Sequence, residues 1–135
     1  MTDLRETAQR WLALWNGDMH LLGEIVAGDA VTHAVMIGQV VETPMVGRDA
    51  LGDWIAQMHM AMPSLRFAVE VGPLVDGDLI ALRWRIVGTH GTTRIDFAGT
   101  DILRIEHGRI MEYWVNSDTS LMLAQMQATV QPIPE

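Results

Sequence analysis

Asp101 is a lone carboxylate in a row of apolar residues, the alternate positions Ile95, Phe97, Gly99, Asp101, Leu103 and Ile105. A carboxylate turned inward in such a row loses hydration. That loss raises its pKa and suits it to take or give a proton near neutrality. Proton abstraction beside a carbonyl is the fitting chemistry, with a second donor holding the enolate oxygen. His90 falls on the same predicted face and is placed to donate to that oxygen or to carry a proton. Glu112 and Asn116 are predicted on this face too, with His33, His59 or Asn16 reaching it from the helical side. Trp15, Trp54, Trp84 and Trp114, with Phe97, Met36, Met58 and Met60, would line such a site for a flat organic ligand. The alternative for Asp101 is structural: a carboxylate satisfied by backbone or Trp N–H groups, or by an arginine.

These positions depend on strands whose faces follow from alternation. From Leu65 the apolar period is two. Strands are predicted from Leu65 to the Asp76-Gly77 turn, from Leu79 to His90, from Arg94 to Glu106 and, after the His107-Gly108 turn, from Arg109 to Ser117. Ile80, Leu82, Trp84, Ile86, Gly88 and His90 share the inner face, and Arg83 and Arg85 point outward. Counting from a two-residue turn at His107-Gly108 sets Ile105 opposite Ile110, Leu103 opposite Glu112 and Asp101 opposite Trp114. The same count across Asp76-Gly77 sets Phe67 opposite Ile86 and Val69 opposite Trp84. The outer face then carries Arg83, Arg85, Arg94, Asp96 and Arg104 as cross-strand ion pairs.

The preceding residues read mainly as helices. Leu4, Ala8, Trp11, Leu12 and Trp15 lie at helical spacing from Asp3 to Trp15, with Thr2 or Asp3 as the cap. A short helix follows from Asp18, then a strand from Ala30 to Met36, then a helix from Asp49 to Met60 that presents Leu51, Trp54, Ile55 and Met58. Residues 118–127 form a final short helix. Helices followed by a long meander predict an α+β fold, helices packed on one face of an antiparallel sheet.

A length of 135 residues fits one domain over 1–135. The net charge of −8, without an Arg/Lys cluster, argues against nucleic acid. No apolar run is long enough to span a membrane, and the polar N-terminus lacks a signal-peptide layout. The chain has no cysteine, which excludes disulfides and thiol chemistry and weakly favours the cytoplasm. No two histidines have a compact ligand spacing, so no metal is expected.

The runs Gly47-Arg48-Asp49-Ala50-Leu51, Met62-Pro63-Ser64-Leu65-Arg66-Phe67 and Asp76-Gly77-Asp78-Leu79-Ile80-Ala81-Leu82-Arg83-Trp84, with the stretch from Gly99 to Trp114, resemble the SnoaL-like polyketide cyclases. Asp118 and Gln125 match that family's tail. The resemblance implies the cone-shaped α+β barrel of nuclear transport factor 2-like proteins, with three N-terminal helices on a strongly curved sheet and a pocket inside. It also implies intramolecular aldol condensation without metal or organic cofactor, with Asp101 as acid/base and His90 assisting. Gly91-Thr92-Thr93-Arg94-Ile95 departs from the family, being shorter and lacking a Pro-Thr-Gly element at the pocket mouth. Isomerisation, dehydration or epoxide opening are alternative reactions. The Arg94-Ile95-Asp96 pair that resembles limonene-type epoxide hydrolases points outward by parity. A non-catalytic module binding a hydrophobic ligand is the alternative of another class. A homodimer is expected.

Overall fold

The structure, a computed structural model, describes residues 3–35 and 39–127. Thr2 and Met36 lie outside the described residues. Helix α1 (Leu4–Trp15) starts at Asp3, whose side chain accepts from the Arg5 amide, a standard N-cap. Its buried face is Thr7, Ala8, Trp11, Leu14 and Trp15. A 3-10 turn (Met19–Leu21) leads into the short α2 (Leu22–Ile25), and α3 (Arg48–Ala61) buries Leu51, Gly52 and Ile55. A last helix, α4 (Thr119–Gln127), follows the sheet and has no fully buried residue.

Six strands form one sheet in the order β2-β1-β6-β5-β4-β3. They are β1 (Val26–His33), β2 (Met45–Val46), β3 (Arg66–Asp76), β4 (Leu79–His90), β5 (Thr93–Glu106) and β6 (Arg109–Ser117). The sheet is mixed rather than wholly antiparallel, because β1 runs parallel to β6. β1 also begins at Val26, earlier than Ala30: Gly28-Asp29 does not end a helix but lies where the β1 register shifts. The helices pack on one face of this sheet, an α+β cone that is left open between its edge strands β2 and β3. Trp11, Leu14, Ile55, Leu65, Ile80, Ile86, Ile95, Leu103 and Ile110 are fully buried between the two layers. Each such side chain contributes about 1.5–3 kcal/mol through removal from water.

Two polar clips tie helices to strands. The Asn16 side chain donates to the Phe67 carbonyl (3.0 Å) and accepts from the Phe67 amide (2.7 Å), fixing the end of α1 against β3. Gln125 grips β5 in the same way, donating to the Asp96 carbonyl (2.7 Å) and accepting from its amide (2.8 Å). That second clip, with Met122 and Met126 packed against the core, holds α4 beside the sheet.

The register of β5 on β6 begins as the turn count predicts, with Glu106 opposite Arg109 and Ile105 opposite Ile110. Arg104 then faces Glu112, so Met111 is an extra residue on β6. This bulge reverses the faces of everything beyond it. Leu103 therefore faces Tyr113, and Asp101 faces Val115. On β3 the predicted pairs Phe67–Ile86 and Val69–Trp84 are present, but the turn residues are Gly77-Asp78. Two irregularities between Val69 and Leu74 absorb the difference.

Candidate active site

Asp101 sits on β5 with 3% of its surface exposed, between groups drawn from three other elements. Trp11 of α1 donates its Nε1–H to Oδ2 (3.0 Å). Trp84 of β4 donates its Nε1–H to Oδ1 (2.9 Å), and Tyr113 of β6 donates its hydroxyl to the same oxygen (3.0 Å). Indole N–H groups only donate, so this set of partners fits a carboxylate rather than a carboxylic acid. Burial acts in the opposite sense and dominates. It raises the Asp101 pKa to about 6, with the Trp11, Trp84 and Tyr113 hydrogen bonds holding it back. The Tyr113 phenol is fully buried beside that carboxylate and is pushed well above its usual pKa.

Local sequence explains how the donors reach Asp101. Leu82 is the cross-strand partner of Asp101, and Trp84 stands opposite Gly99. A Cβ at Gly99 would overlap the Trp84 ring at Cζ2 and Cη2, so glycine makes the space in which the indole lies. The Met111 bulge brings Tyr113 onto the inner face in the place parity gave to its neighbours. Trp11 reaches in from the buried stripe of α1, packed edge-to-face on Tyr113 with centroids 4.7 Å apart.

Asp101 lines a half-open cavity of about 350 Å³. Its walls are mainly aromatic and thioether: Trp15, Trp54, Phe67, Trp84 and Phe97 line it together with Met58, Met62, Met122 and Met126. Besides Tyr113, the neutral polar side chains Gln57, Ser117 and Thr119 are on the wall, the last two hydrogen-bonded to each other (3.0 Å). Trp15 Nε1 is buried without an acceptor among the described residues, and its ring is held by edge contacts with Trp54 and Trp11.

Of the residues singled out in the sequence, Asp101, Trp15, Trp54, Met58, Trp84 and Phe97 meet at this cavity. The others among the described residues do not. His90 is exposed at the end of β4, next to the two-residue Gly91-Thr92 turn. Leu65 crosses close over Gly88, so the inner face is already covered before His90 is reached. Glu112, Trp114 and Asn116 lie beyond the bulge, whose extra residue takes them off the inner face. Glu112 instead accepts from Arg104 (3.2 Å) and meets His33 Nε2 at 2.7 Å, and these contacts lower its pKa, that with His33 most. His33 stacks on Trp114 with centroids 5.4 Å apart. His59 contacts the Trp15 carbonyl (2.6 Å) and Asn16 is the α1–β3 clip, so neither approaches Asp101. Met60 is largely exposed. Tyr113 and Trp11 are the site residues that parity missed. Alternation of Tyr113 and Val115 with polar Glu112 and Asn116 was a usable signal for the first. The Trp11 donor had none beyond its place on the α1 stripe.

Comparison with known proteins accords with this geometry. Residues 8–113 match the SnoaL-like domain family. IdmH from Streptomyces antibioticus, assigned as a polyketide cyclase, superposes with a TM-score of 0.79 at 26% identity, over 90% of this chain and 96% of its own. A loop-truncation variant of IdmH gives 0.80 at 28% identity, over 92% of this chain and 99% of that one. A Bacillus cereus protein assigned as a polyketide cyclase gives 0.78 at 28% identity, covering 89% and 77% of the two chains. A Catenulispora acidiphila protein of ketosteroid isomerase-like fold gives 0.74 at 20% identity, covering 93% of each chain, and so shares the fold. No curated protein matches the sequence. Among the described residues, no helix is long and apolar enough to cross a membrane. The chain belongs to the SnoaL-like domain family, with the nuclear transport factor 2-like fold.

Proposed function

We propose that the protein is a cofactor-independent enzyme acting on a small hydrophobic carbonyl compound, and that its reaction is an intramolecular aldol condensation of the polyketide-cyclase kind. The observation that carries this reading is a single buried carboxylate, Asp101, on the wall of an otherwise uncharged, largely apolar cavity. Its pKa of about 6 leaves it mostly ionised at neutral pH, yet basic enough to accept a proton. The likeness to IdmH supports the same reaction class.

In the proposed step, Asp101 takes a proton from a carbon beside a carbonyl, and that C–H bond breaks. The enolate carbon attacks a second carbonyl of the same molecule, forming the C–C bond. The resulting alkoxide takes the proton back from Asp101. Gln57, Ser117 and Thr119 are the wall donors available to a developing oxyanion, the role that position had given to His90.

Deuterium exchange beside the carbonyl of a hydrophobic aryl ketone, followed by NMR, tests the first half-reaction without the natural substrate. Wild-type protein should catalyse exchange and Asp101→Asn should not. Exchange that survives the substitution places the base elsewhere.

We further propose that this single-domain protein acts as a cytoplasmic homodimer. A transverse row on the outer sheet face, Leu74, Ala81, Ile102 and Trp114 on adjacent strands, supports dimerisation, with Leu74 and Ile102 exposed. Light scattering should give twice the chain mass, and Ile102→Lys should halve it. A monomeric wild type would refute the pairing.

A further inference from the structure

Asp101 has three hydrogen-bond donors but no counter-charge. Trp11, Trp84 and Tyr113 are neutral, and no Arg, Lys or His is among the described residues lining the cavity. Buried carboxylates are ordinarily matched by a cation, since hydrogen bonds alone leave the charge uncompensated in a medium of low dielectric. On the outer face of the same sheet, even the partly exposed Asp96, Glu70, Glu106 and Glu112 each meet an arginine. Inside, no described residue lining the cavity supplies that charge, so either a proton or a positively charged occupant neutralises the carboxylate.

The walls suit such an occupant. Trp15, Trp54, Phe67, Trp84 and Phe97 line the same cavity as Asp101, and consecutive rings stand at steep angles to one another. Trp15 meets Trp54 at 88°, Phe67 meets Trp84 at 69° and Trp84 meets Phe97 at 76°. Rings at such angles turn faces as well as edges toward the space they enclose, and a ring face carries the negative end of the quadrupole. Such faces attract an ammonium group that has shed its water. The chain's net charge of −8 adds a long-range field of the same sense. An anionic ligand, in contrast, would meet no positive group.

We infer that this cavity is a site for hydrophobic organic cations, tertiary or quaternary amines, held by the aromatic walls with Asp101 as their counter-charge. The inference rests on the reading of the cavity as the substrate site and names a chemical class for what enters it. A cationic nitrogen beside the reacting carbonyl is compatible with the aldol step: it keeps Asp101 ionised, at some cost in basicity, and offsets the negative charge of the enolate that forms.

Two isosteric probes separate charge from shape: phenyltrimethylammonium and tert-butylbenzene. Dissociation constants would be measured by quenching of the intrinsic tryptophan fluorescence at pH 7.5 and checked by NMR shifts. The cation should bind tenfold or more tightly than the hydrocarbon. Asp101→Asn should remove most of that ratio while changing the hydrocarbon's affinity less than twofold. A variant-free check covers the case in which Asp101→Asn misfolds. Lowering the pH from 7.5 to 5 should weaken the cation alone, because Asp101 protonates through about 6. Around Asp101, α1 and β4 contribute only indoles, and Tyr113 from β6 stays neutral throughout. Equal affinity of the two probes, or a cation that binds more weakly, overturns the inference and leaves the carbonyl reading standing. Binding of neither probe overturns the cation site and counts against the cavity as a substrate site as well.

Discussion

Asp96 and Asp101 occupy the same strand and behave as different chemical groups. Asp96 is on the outer face, a third exposed, with Arg85 at 2.8 Å and Arg94 at 3.5 Å. The Arg85 hydrogen bond leads the effects that hold its pKa below the usual range. Asp101 is on the inner face, with two indoles and a phenol, and burial drives its pKa up. Residue type is identical, and strand parity alone assigns one to a salt-bridge lattice and the other to a reactive pocket. The comparison shows that a carboxylate's usefulness as a base comes from neutral partners and lost water, not from strong pairing.

The largest expected effect tests that contrast directly. Asp101→Asn should lower kcat for carbonyl-directed exchange by about 10²–10⁴-fold, while Asp96→Asn leaves it within about threefold, since exposed pairs have little influence on a remote site. Comparable losses from both would dissolve the distinction.

Next in size is the pH dependence of stability. The folded-state pKa of Asp101 is about 6 against a usual value of 3.8, so between these limits the folded chain holds a proton that the unfolded chain has released. Stability from this group is therefore lost as pH rises from about 4 through about 6, by an amount on the order of 3 kcal/mol. Asp96 has the opposite sign: its lowered pKa gives stability above its unfolded value that disappears as pH falls through the folded one. Urea titrations of wild type and Asp101→Asn across pH 4–8 should differ by the falling limb. Parallel curves would show that Asp101 is not the group responsible.

Tyr113→Phe removes a single donor without altering the ring. It should cost about 1.5–3 kcal/mol at pH 7.5, the value of a hydrogen bond to a charged group. It should also move the acidic limb of the activity profile upward, because a stabilising contact of the carboxylate is gone. Smallest of all, Arg85→Met should leave that limb in place and shift the melting temperature less than Tyr113→Phe does. A displaced limb in Arg85→Met would mean that the outer lattice reaches through the sheet to Asp101.

Much of this was legible in the sequence because apolar alternation is strong along β4 and β5, and it put Asp101 inside. The strands β4 and β6 have the predicted bounds, Leu79–His90 and Arg109–Ser117. What failed was counting across Met111. A bulge adds one residue without any residue type that demands it, and each position past it changes face. Glu112, Trp114 and Asn116 were carried inward by that count, and Tyr113 outward. The burial of two polar groups that resulted was itself a sign of error, since a slip of one residue restores polar residues to solvent. His90 failed for another reason: parity gives the face but not how far along the strand the covering layer extends. β1 was read late because Gly28-Asp29 resembles a helix stop, and β2 is too short to leave a periodic trace.

Gly99 has a consequence for how this protein can change. The space above it is filled by the Trp84 indole, so a side chain at 99 displaces the ring that donates to Asp101. Neither residue is free to vary first without loss. A side chain at 99 needs both a smaller residue at 84 and a shift of the Asn116 carbonyl, 2.9 Å from the added Cβ, and by then one donor to the carboxylate is already gone. Positions 84 and 99 should therefore behave as an epistatic pair in a mutational library, with most single-step routes between alternative pocket linings closed at this point of the sheet.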